Sequence, residues 1–312
     1  MPYYLGIDGG GTKTTCAVGD ESRLLATAIS GPSNIVRVGE LQARESLEHA
    51  VRQVCAAAGI SAVEVAHTCI GASGAAHPEV AEKVHQILAS LLLSPVEVVG
   101  DMQIALEAAF DTGPGVIVIA GTGSIAYGRD ANGNTARAGG WGFAISDEGS
   151  AHWIGRAAVS AVLRAADLKP GASESSSPPD SALAVALLQA WNTGSLADLA
   201  RAANAIPPPD FASLFPAVAA SQDDLAAQVL TRAGTELAQL AVVVVRRLFT
   251  EAHIASVPVA MIGGVFRHAP LVRQVFYNEL RALDSRVEVK PEVVEPVEGA
   301  LRLARRAAGG IT

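Results

Sequence analysis

The stretch YLGIDGGGTKTTCAVGD at residues 4–20 constrains the fold more than any other. Three consecutive glycines, Gly9 to Gly11, separate two β-like runs, with Asp8 just before them and Thr12-Lys13 just after. Without side chains, glycines let backbone N–H groups converge on an anion. A Walker A loop would need G-x-x-x-x-G-K-[ST] running into a helix. Here Thr12 precedes Lys13 and the chain continues as a strand, so that reading fails. What remains is a phosphate held at a β-hairpin turn, with amides from Gly10 and Gly11, a hydroxyl from Thr12 and a charge from Lys13. Asp8 would serve the Mg²⁺ that accompanies a nucleoside triphosphate, through water, because Mg²⁺ gives up its hydration shell reluctantly. An ordinary glycine hairpin steadied by an aspartate is the alternative.

Residues 3–30 read as three strands joined by turns, an antiparallel meander. Helical spacing follows at 40–60, a β-run at 63–74, a helix from Pro78, a short buried strand before Asp101, and a further helix after it. Strands alternating with helices after a meander indicate a mixed α/β sheet. At DTGPG (111–115) the chain punctuates, and VIVIAGTGSIAYGRDANGNTARAGG (116–140) repeats the opening pattern of strand, Gly/Thr turn, strand, turn, strand. Two related lobes are expected, with their glycine turns on a shared cleft. GTGSIA (121–126) also fits G-x-G-x-x-A, but a dinucleotide site needs a helix there, and the turn-rich YGRDANGN follows instead. Helices are expected at 150–166, 222–249 and over the last residues, with a Ser/Pro-rich loop at 169–181.

The composition narrows the function. A net charge of −8 and a pI near 5.4 leave no basic patch for nucleic acid. Phosphates must then be bound by local backbone donors and a metal ion. Cys16, Cys55 and Cys69 are scattered without a C-x-x-C pair, so neither a disulfide framework nor a cysteine-rich metal site is expected. His67, His77, His85 and His152 show no metal-ligand spacing. The strongest apolar run, LAQLAVVVVRRLF (237–249), is interrupted by two arginines and too short to span a bilayer. A strand begins within a few residues of Met1, and a signal peptide is not expected. A soluble, cytoplasmic protein follows as the expectation.

GIDGGGTKT, GDMQIAL, AGTGSIAYG, GGWGFAISDEGSAHWIG and IGGVF occur in the order seen in the N-acetylglucosamine kinase-like branch of the BadF/BadG/BcrA/BcrD ATPase family. The chain resembles that branch from residue 3 to its last helix, least across 167–220. The resemblance places it in the actin-like ATPase and sugar-kinase superfamily. It implies an α/β fold of two ribonuclease-H-like lobes around a central nucleotide and sugar cleft: residues 1–112 with 296–312, and residues 113–295. It implies ATP and Mg as cofactors, a small-molecule sugar as partner, and a homodimer as the family expectation.

Phosphorylating a sugar hydroxyl requires a base for its proton. Asp101, just past the strand VEVV where open α/β sheets place ligands, is the candidate. Capping the helix that follows is its alternative role. Gly121, Thr122 and Gly123 would form the second phosphate clamp. By resemblance Gly140, Trp141, Gly142 and Asp147 line the sugar site, since an indole can lie against a sugar's C–H face and a carboxylate can accept hydroxyl bonds. The alternative is a core Trp141, with Asp147–Ser150 capping the next helix. Asn34 sits where the family holds sugar hydroxyls, though a loop asparagine is often a turn residue. Ile35 and Val36 follow it, where the kinases of this branch often carry bulkier or polar residues. Ser73 and Gly74 would border the cleft. Gly263 and Gly264 resemble the adenosine-side turn, with His268 nearby.

The implied activity is ATP-dependent phosphorylation of the 6-hydroxyl of an amino sugar, N-acetylglucosamine first and glucosamine or glucose next. The family's other branch, ATPase activators of 2-hydroxyacyl-CoA dehydratases and benzoyl-CoA reductases, is the alternative. Those hold an iron–sulfur cluster with paired cysteines, which this chain does not have. A sugar-responsive DNA-binding regulator would need a helix-turn-helix before the first lobe and a different charge.

Overall fold

A computed structural model describes residues 2–168, 181–250 and 255–309. Of the Ser/Pro-rich stretch expected as a loop, residues 169–180 lie outside the described residues. The chain divides into two compact units, Met1–Gly113 with Val294–Thr312, and Pro114–Val293.

The first unit opens with the meander: β1 (Tyr3–Gly9), β2 (Thr14–Gly19) and β3 (Leu24–Ser30). Then come α1 (Ile35–Ala58), β4 (Val65–Ala72), α2 (Pro78–Ala89), β5 (Val96–Gly100) and α3 (Asp101–Phe110). The sheet order is β3-β2-β1-β4-β5, with β1 antiparallel to β2 and parallel to β4. β1 is therefore central and buried on both faces, which explains its near-continuous apolar run. Leu5 and Ile7 pack in a cluster with Leu47, Val51, Ile87 and Leu88 of α1 and α2. On the opposite face Tyr4 packs with Ile104 of α3. Each fully buried leucine or isoleucine contributes on the order of 2 kcal/mol.

The second unit repeats the plan. β6 (Gly115–Ala120), β7 (Ser124–Arg129) and β8 (Thr135–Gly139) form its meander. Helices α4 (Ala151–Asp167), α5 (Ala182–Ala190), α6 (Leu196–Ala203), α7 (Phe215–Ala220) and α8 (Asp224–Leu248) follow. β9 (Val257–Ile262), α9 (Gly264–His268), α10 (Pro270–Leu283) and β10 (Val287–Val294) complete it. Its sheet order, β10-β9-β6-β7-β8, matches that of the first unit strand for strand. The weak sequence echo at 116–140 thus marks a true topological repeat.

The chain ends in α11 (Pro296–Ala308), which packs back on the first unit. Leu301, Ala300 and Ala304 join the cluster of Tyr4 and Ile104. The fit needs Gly6: a Cβ there would stand 2.3 Å from the backbone nitrogen of Leu301. Arg306 pairs with the buried Glu107 at 2.6 Å, tying α11 to α3. No described helix is long and apolar enough to cross a membrane.

Candidate active site

In the first unit, the parallel register brings the carboxyl ends of three strands together. Gly9 of β1 stands opposite Ala72 of β4, and Ala72 opposite Gly100 of β5. The hairpin Gly10–Lys13, the turn beginning at Ser73 and the first residue of α3, Asp101, therefore leave the sheet side by side. Ser73 donates its backbone N–H to the Gly9 carbonyl at 3.1 Å and its hydroxyl to Asp101 Oδ2 at 2.6 Å. Asp101 Oδ1 accepts the Met102 N–H at 3.0 Å. The cap position of α3 belongs to Gly100, whose N–H is accepted by Gln103 Oε1 at 3.0 Å. Asp101 is thus the first residue of α3, with one carboxylate oxygen on the helix start and the other on Ser73.

Asp8, half-buried near the end of β1, has its carboxyl pushed up to about 7. Burial is the main cause and the negative charge of Asp101 the next, with Lys13 pulling the other way and Glu295 adding to the rise. The hairpin closes through the Gly10 N–H on the Lys13 carbonyl at 3.1 Å, leaving Thr12 and Lys13 exposed. The Gly10 carbonyl accepts the N–H groups of Ser33 and Asn34 at 3.1 and 3.2 Å. The buried Thr14 hydroxyl reaches the Gly31 carbonyl at 2.8 Å, fixing the same loop from below. Asn34 caps α1: its Oδ1 accepts the N–H groups of Val36 and Arg37 at 3.0 and 3.3 Å. Its carboxamide NH₂ is the half that can address a ligand. Gly74, at φ 90°, closes the turn after Ser73.

In the second unit the Gly121 N–H bonds the Gly123 carbonyl at 2.9 Å. The carbonyls of Gly121 and Thr122 accept the first N–H groups of α4, from Ala151 at 2.8 Å and His152 at 3.4 Å. Asp147, 8% exposed and at φ 64°, lies behind this turn and accepts the backbone N–H groups of Ser124 and Gly142. Burial nevertheless holds its carboxyl above the usual range. The α4 cap is Ser150, whose Oγ accepts the Trp153 N–H at 3.1 Å. Trp141 is 66% exposed, so it is not a core residue, and Arg137 lies 4.3 Å from its ring centre. Gly140 and Gly142, at φ 69° and 98°, flank it in conformations that favour glycine.

Gly263 and Gly264 follow β9, the parallel neighbour of β6. Gly263 has φ 104°, and a Cβ on it would stand 2.4 Å from the Ala120 carbonyl oxygen. The IGGV turn and the GTGS turn are thus pressed together backbone to backbone. His268 is exposed at the end of α9. Cys16, Cys55 and Cys69 are buried and free, and burial raises all three thiols.

Two residues escaped the sequence reading. Glu295, the cap residue of α11, acts electrostatically on Asp8 because the last helix returns to the first unit. Arg37, three residues after Asn34, brings its guanidinium back to Gly11, with Nη1 3.5 Å from where a Cβ would stand. The helical spacing after Asn34 is the signal that could have found Arg37.

The BadF/BadG/BcrA/BcrD ATPase family matches residues 5–304. The N-acetylmuramic acid/N-acetylglucosamine kinase of Clostridium acetobutylicum is 38% identical over 169 residues, 54% of this chain and 55% of that protein. The chain spans about half the length of the curated relatives it matches. Among solved structures, a candidate N-acetylglucosamine kinase from Chromobacterium violaceum has a TM-score of 0.73 at 26% identity, with 97% of this chain and 99% of that one covered. A ROK family glucokinase from Streptomyces griseus, in complex with glucose and AMPPNP, has a TM-score of 0.61 at 18% identity over 97% and 99% of the two chains. The chain shares the α/β fold of these proteins, that of the actin-like ATPases and sugar kinases, built on two five-stranded mixed sheets.

Proposed function

The chain belongs to the BadF/BadG/BcrA/BcrD ATPase family, and on that premise we propose that it is an ATP-dependent kinase acting on the 6-hydroxyl of an amino sugar. N-acetylglucosamine is the first substrate to expect, with glucosamine and glucose next. The observation that carries this reading is the Ser73–Asp101 pair beside the glycine hairpin. Asp101 holds the Met102 N–H with Oδ1, while its Oδ2 is oriented toward the turn by a 2.6 Å bond from Ser73. A carboxylate so placed can accept the proton of an attacking hydroxyl, a role worth roughly 10²–10⁴ in rate.

The other residues take roles around that step. The Gly10–Lys13 hairpin, closed by the Gly10 N–H on the Lys13 carbonyl, binds the outer phosphates of ATP: Gly10 and Gly11 keep side chains out of the way, and Thr12 and Lys13 add a hydroxyl and a charge. Gly121, Thr122 and Gly123 form a second clamp, and Gly263 and Gly264 carry the backbone close to the nucleoside. Asn34 offers its NH₂ to a sugar hydroxyl, and Trp141, held between Gly140 and Gly142, offers its ring face. Asp147 anchors that loop from beneath through Gly142, and its remaining lone pairs suit a sugar hydroxyl. The site fits Mg²⁺ at Asp8: the Asp8 carboxyl is pushed up to about 7 by burial and by Asp101, a strain that a cation relieves. When bound with ATP, Mg²⁺ offsets phosphate charge that an acidic protein cannot neutralise alone.

Product analysis tests the regiochemistry. Incubation with Mg-ATP and N-acetylglucosamine should give one phosphorylated sugar, with a ¹H–³¹P correlation to the protons on carbon 6. A correlation to the anomeric proton would contradict the assignment.

A further inference from the structure

We propose that Arg137 is a positioning residue for the sugar: its guanidinium braces one face of the Trp141 indole, so that the other face is presented ready-made to the sugar. The proposal rests on the reading of Trp141 as the sugar platform of an amino-sugar kinase.

The loop that carries Trp141 is pinned along its backbone. Asp147 accepts the Gly142 N–H, and the Gly142 carbonyl accepts those of Ile145 and Ser146 at 3.3 and 2.9 Å. The next aromatic residue, Phe143, is held against α4, its ring centre 4.9 Å from that of His152. Trp141 has no such seat. It is 66% exposed between two glycines of positive φ, and among the described residues no hydrogen bond engages its indole N–H. What meets its ring is Arg137, with Cζ 4.3 Å from the ring centre, inside the roughly 6 Å range of cation–π attraction.

Arg137 stands on a rigid base. It belongs to β8, where Ala136 and Ala138 pack into the core, and strand alternation turns Arg137 to the opposite face. The register pairs it with Tyr127 of β7, and its carbonyl accepts a 2.6 Å bond from Arg247 Nη1 of α8. Sheet and helix thus fix the backbone from which the guanidinium reaches the indole.

The brace acts through lost freedom. An indole swinging on its own side-chain torsions must be ordered when a sugar arrives, and that ordering weakens binding. A planar guanidinium stacked on one ring face restricts the torsions beforehand, which a compact ammonium does less well. Such bracing serves the bound sugar and the transition state alike, so it belongs to KM and not to kcat.

A double-mutant cycle on the full chain tests this, with calorimetry for N-acetylglucosamine binding and steady-state kinetics for KM and kcat. The proteins are wild type, Arg137→Ala, Trp141→Ala and the double variant. Arg137→Ala should raise the Kd and KM for the sugar roughly two- to fivefold, the worth of one exposed cation–π contact, with kcat and the KM for ATP unchanged. In the Trp141→Ala background the same substitution should add nothing. Arg137→Lys, which keeps the charge but not the plane, should fall between wild type and Arg137→Ala. The Arg247 bond goes to the backbone of residue 137 and survives each substitution. An Arg137→Ala effect of equal size in both backgrounds means that the arginine acts without the indole, and overturns the proposal. So does the absence of any effect in the wild-type background, or a loss confined to kcat. A wild type that binds no amino sugar overturns the reading of the sugar site, and the proposal with it.

Discussion

The hairpin between β1 and β2 and the hairpin between β6 and β7 occupy the same place in sheets of the same strand order, yet they are built for different chemistry. The first carries charge at its tip and its root: Lys13 is exposed, and Asp8 is forced against Asp101 and Glu295. The second carries no charged residue at its tip. Its carbonyls are taken by the first N–H groups of α4, and the nearby carboxylate, Asp147, is buried and bonded to two backbone amides. The difference shows that topology supplies the loop, while the residues flanking it decide what the loop does. An uneasy carboxylate invites a cation or a proton. One bonded to backbone amides, though burial still raises it, holds backbone in place.

That contrast can be broken most severely at Asp101. Asp101→Asn should lower turnover by roughly 10²–10⁴-fold while nucleotide binding, measured by calorimetry, is largely kept. Activity near that of wild type would remove Asp101 from the role of base. Next in size is Gly263→Ala beside the second hairpin. The φ of 104° and the 2.4 Å approach to Ala120 leave no room for a Cβ, so a loss of about 3–5 kcal/mol in denaturant unfolding is expected. A loss under about 1 kcal/mol would mean that the two turns are not locked together.

Asp8 offers a test of the opposite sign. In the unfolded chain its carboxyl ionises near the ordinary 3.8, whereas in the fold it keeps its proton up to about 7. Between those values the folded state binds more protons, so its contribution to stability is present at low pH and is lost as pH rises through about 7. Asp8→Asn should therefore stabilise the Mg²⁺-free protein at pH 8, by about 1–3 kcal/mol, and flatten its stability between pH 4 and 7. Destabilisation at pH 8 would contradict the picture of a strained carboxylate. The smallest effect is expected from Trp141→Ala: a rise of about 3- to 10-fold in the KM for the sugar, with that for ATP nearly unchanged. A parallel rise in both would assign the indole to the fold of the loop and not to the sugar.

The sequence showed the glycine hairpins, the alternation of strands and helices, and the return of a last amphipathic helix, because each depends on local spacing. It did not show which polar groups the fold consumes. Asn34 reads as a free loop amide, but its oxygen is spent on the N-terminus of α1. Asp101 reads equally well as a helix cap, and only the fold shows that Gly100 takes the cap position while Asp101 divides its oxygens between the Met102 N–H and Ser73. Trp141 reads as core or surface alike, and the positive φ angles around it are what expose it. The tight contact of Gly263 with Ala120 follows from the parallel pairing of β6 with β9, strands far apart in the chain. Nonlocal pairing of this kind leaves no periodic trace in one sequence.

The most direct test of the central claim is ADP release from Mg-ATP by the purified chain, with and without N-acetylglucosamine, glucosamine and glucose in parallel. Release strongly stimulated by one sugar, N-acetylglucosamine above the others, is the expected result. Rapid ATP hydrolysis indifferent to every sugar would contradict the assignment of the Ser73–Asp101 pair to a sugar hydroxyl.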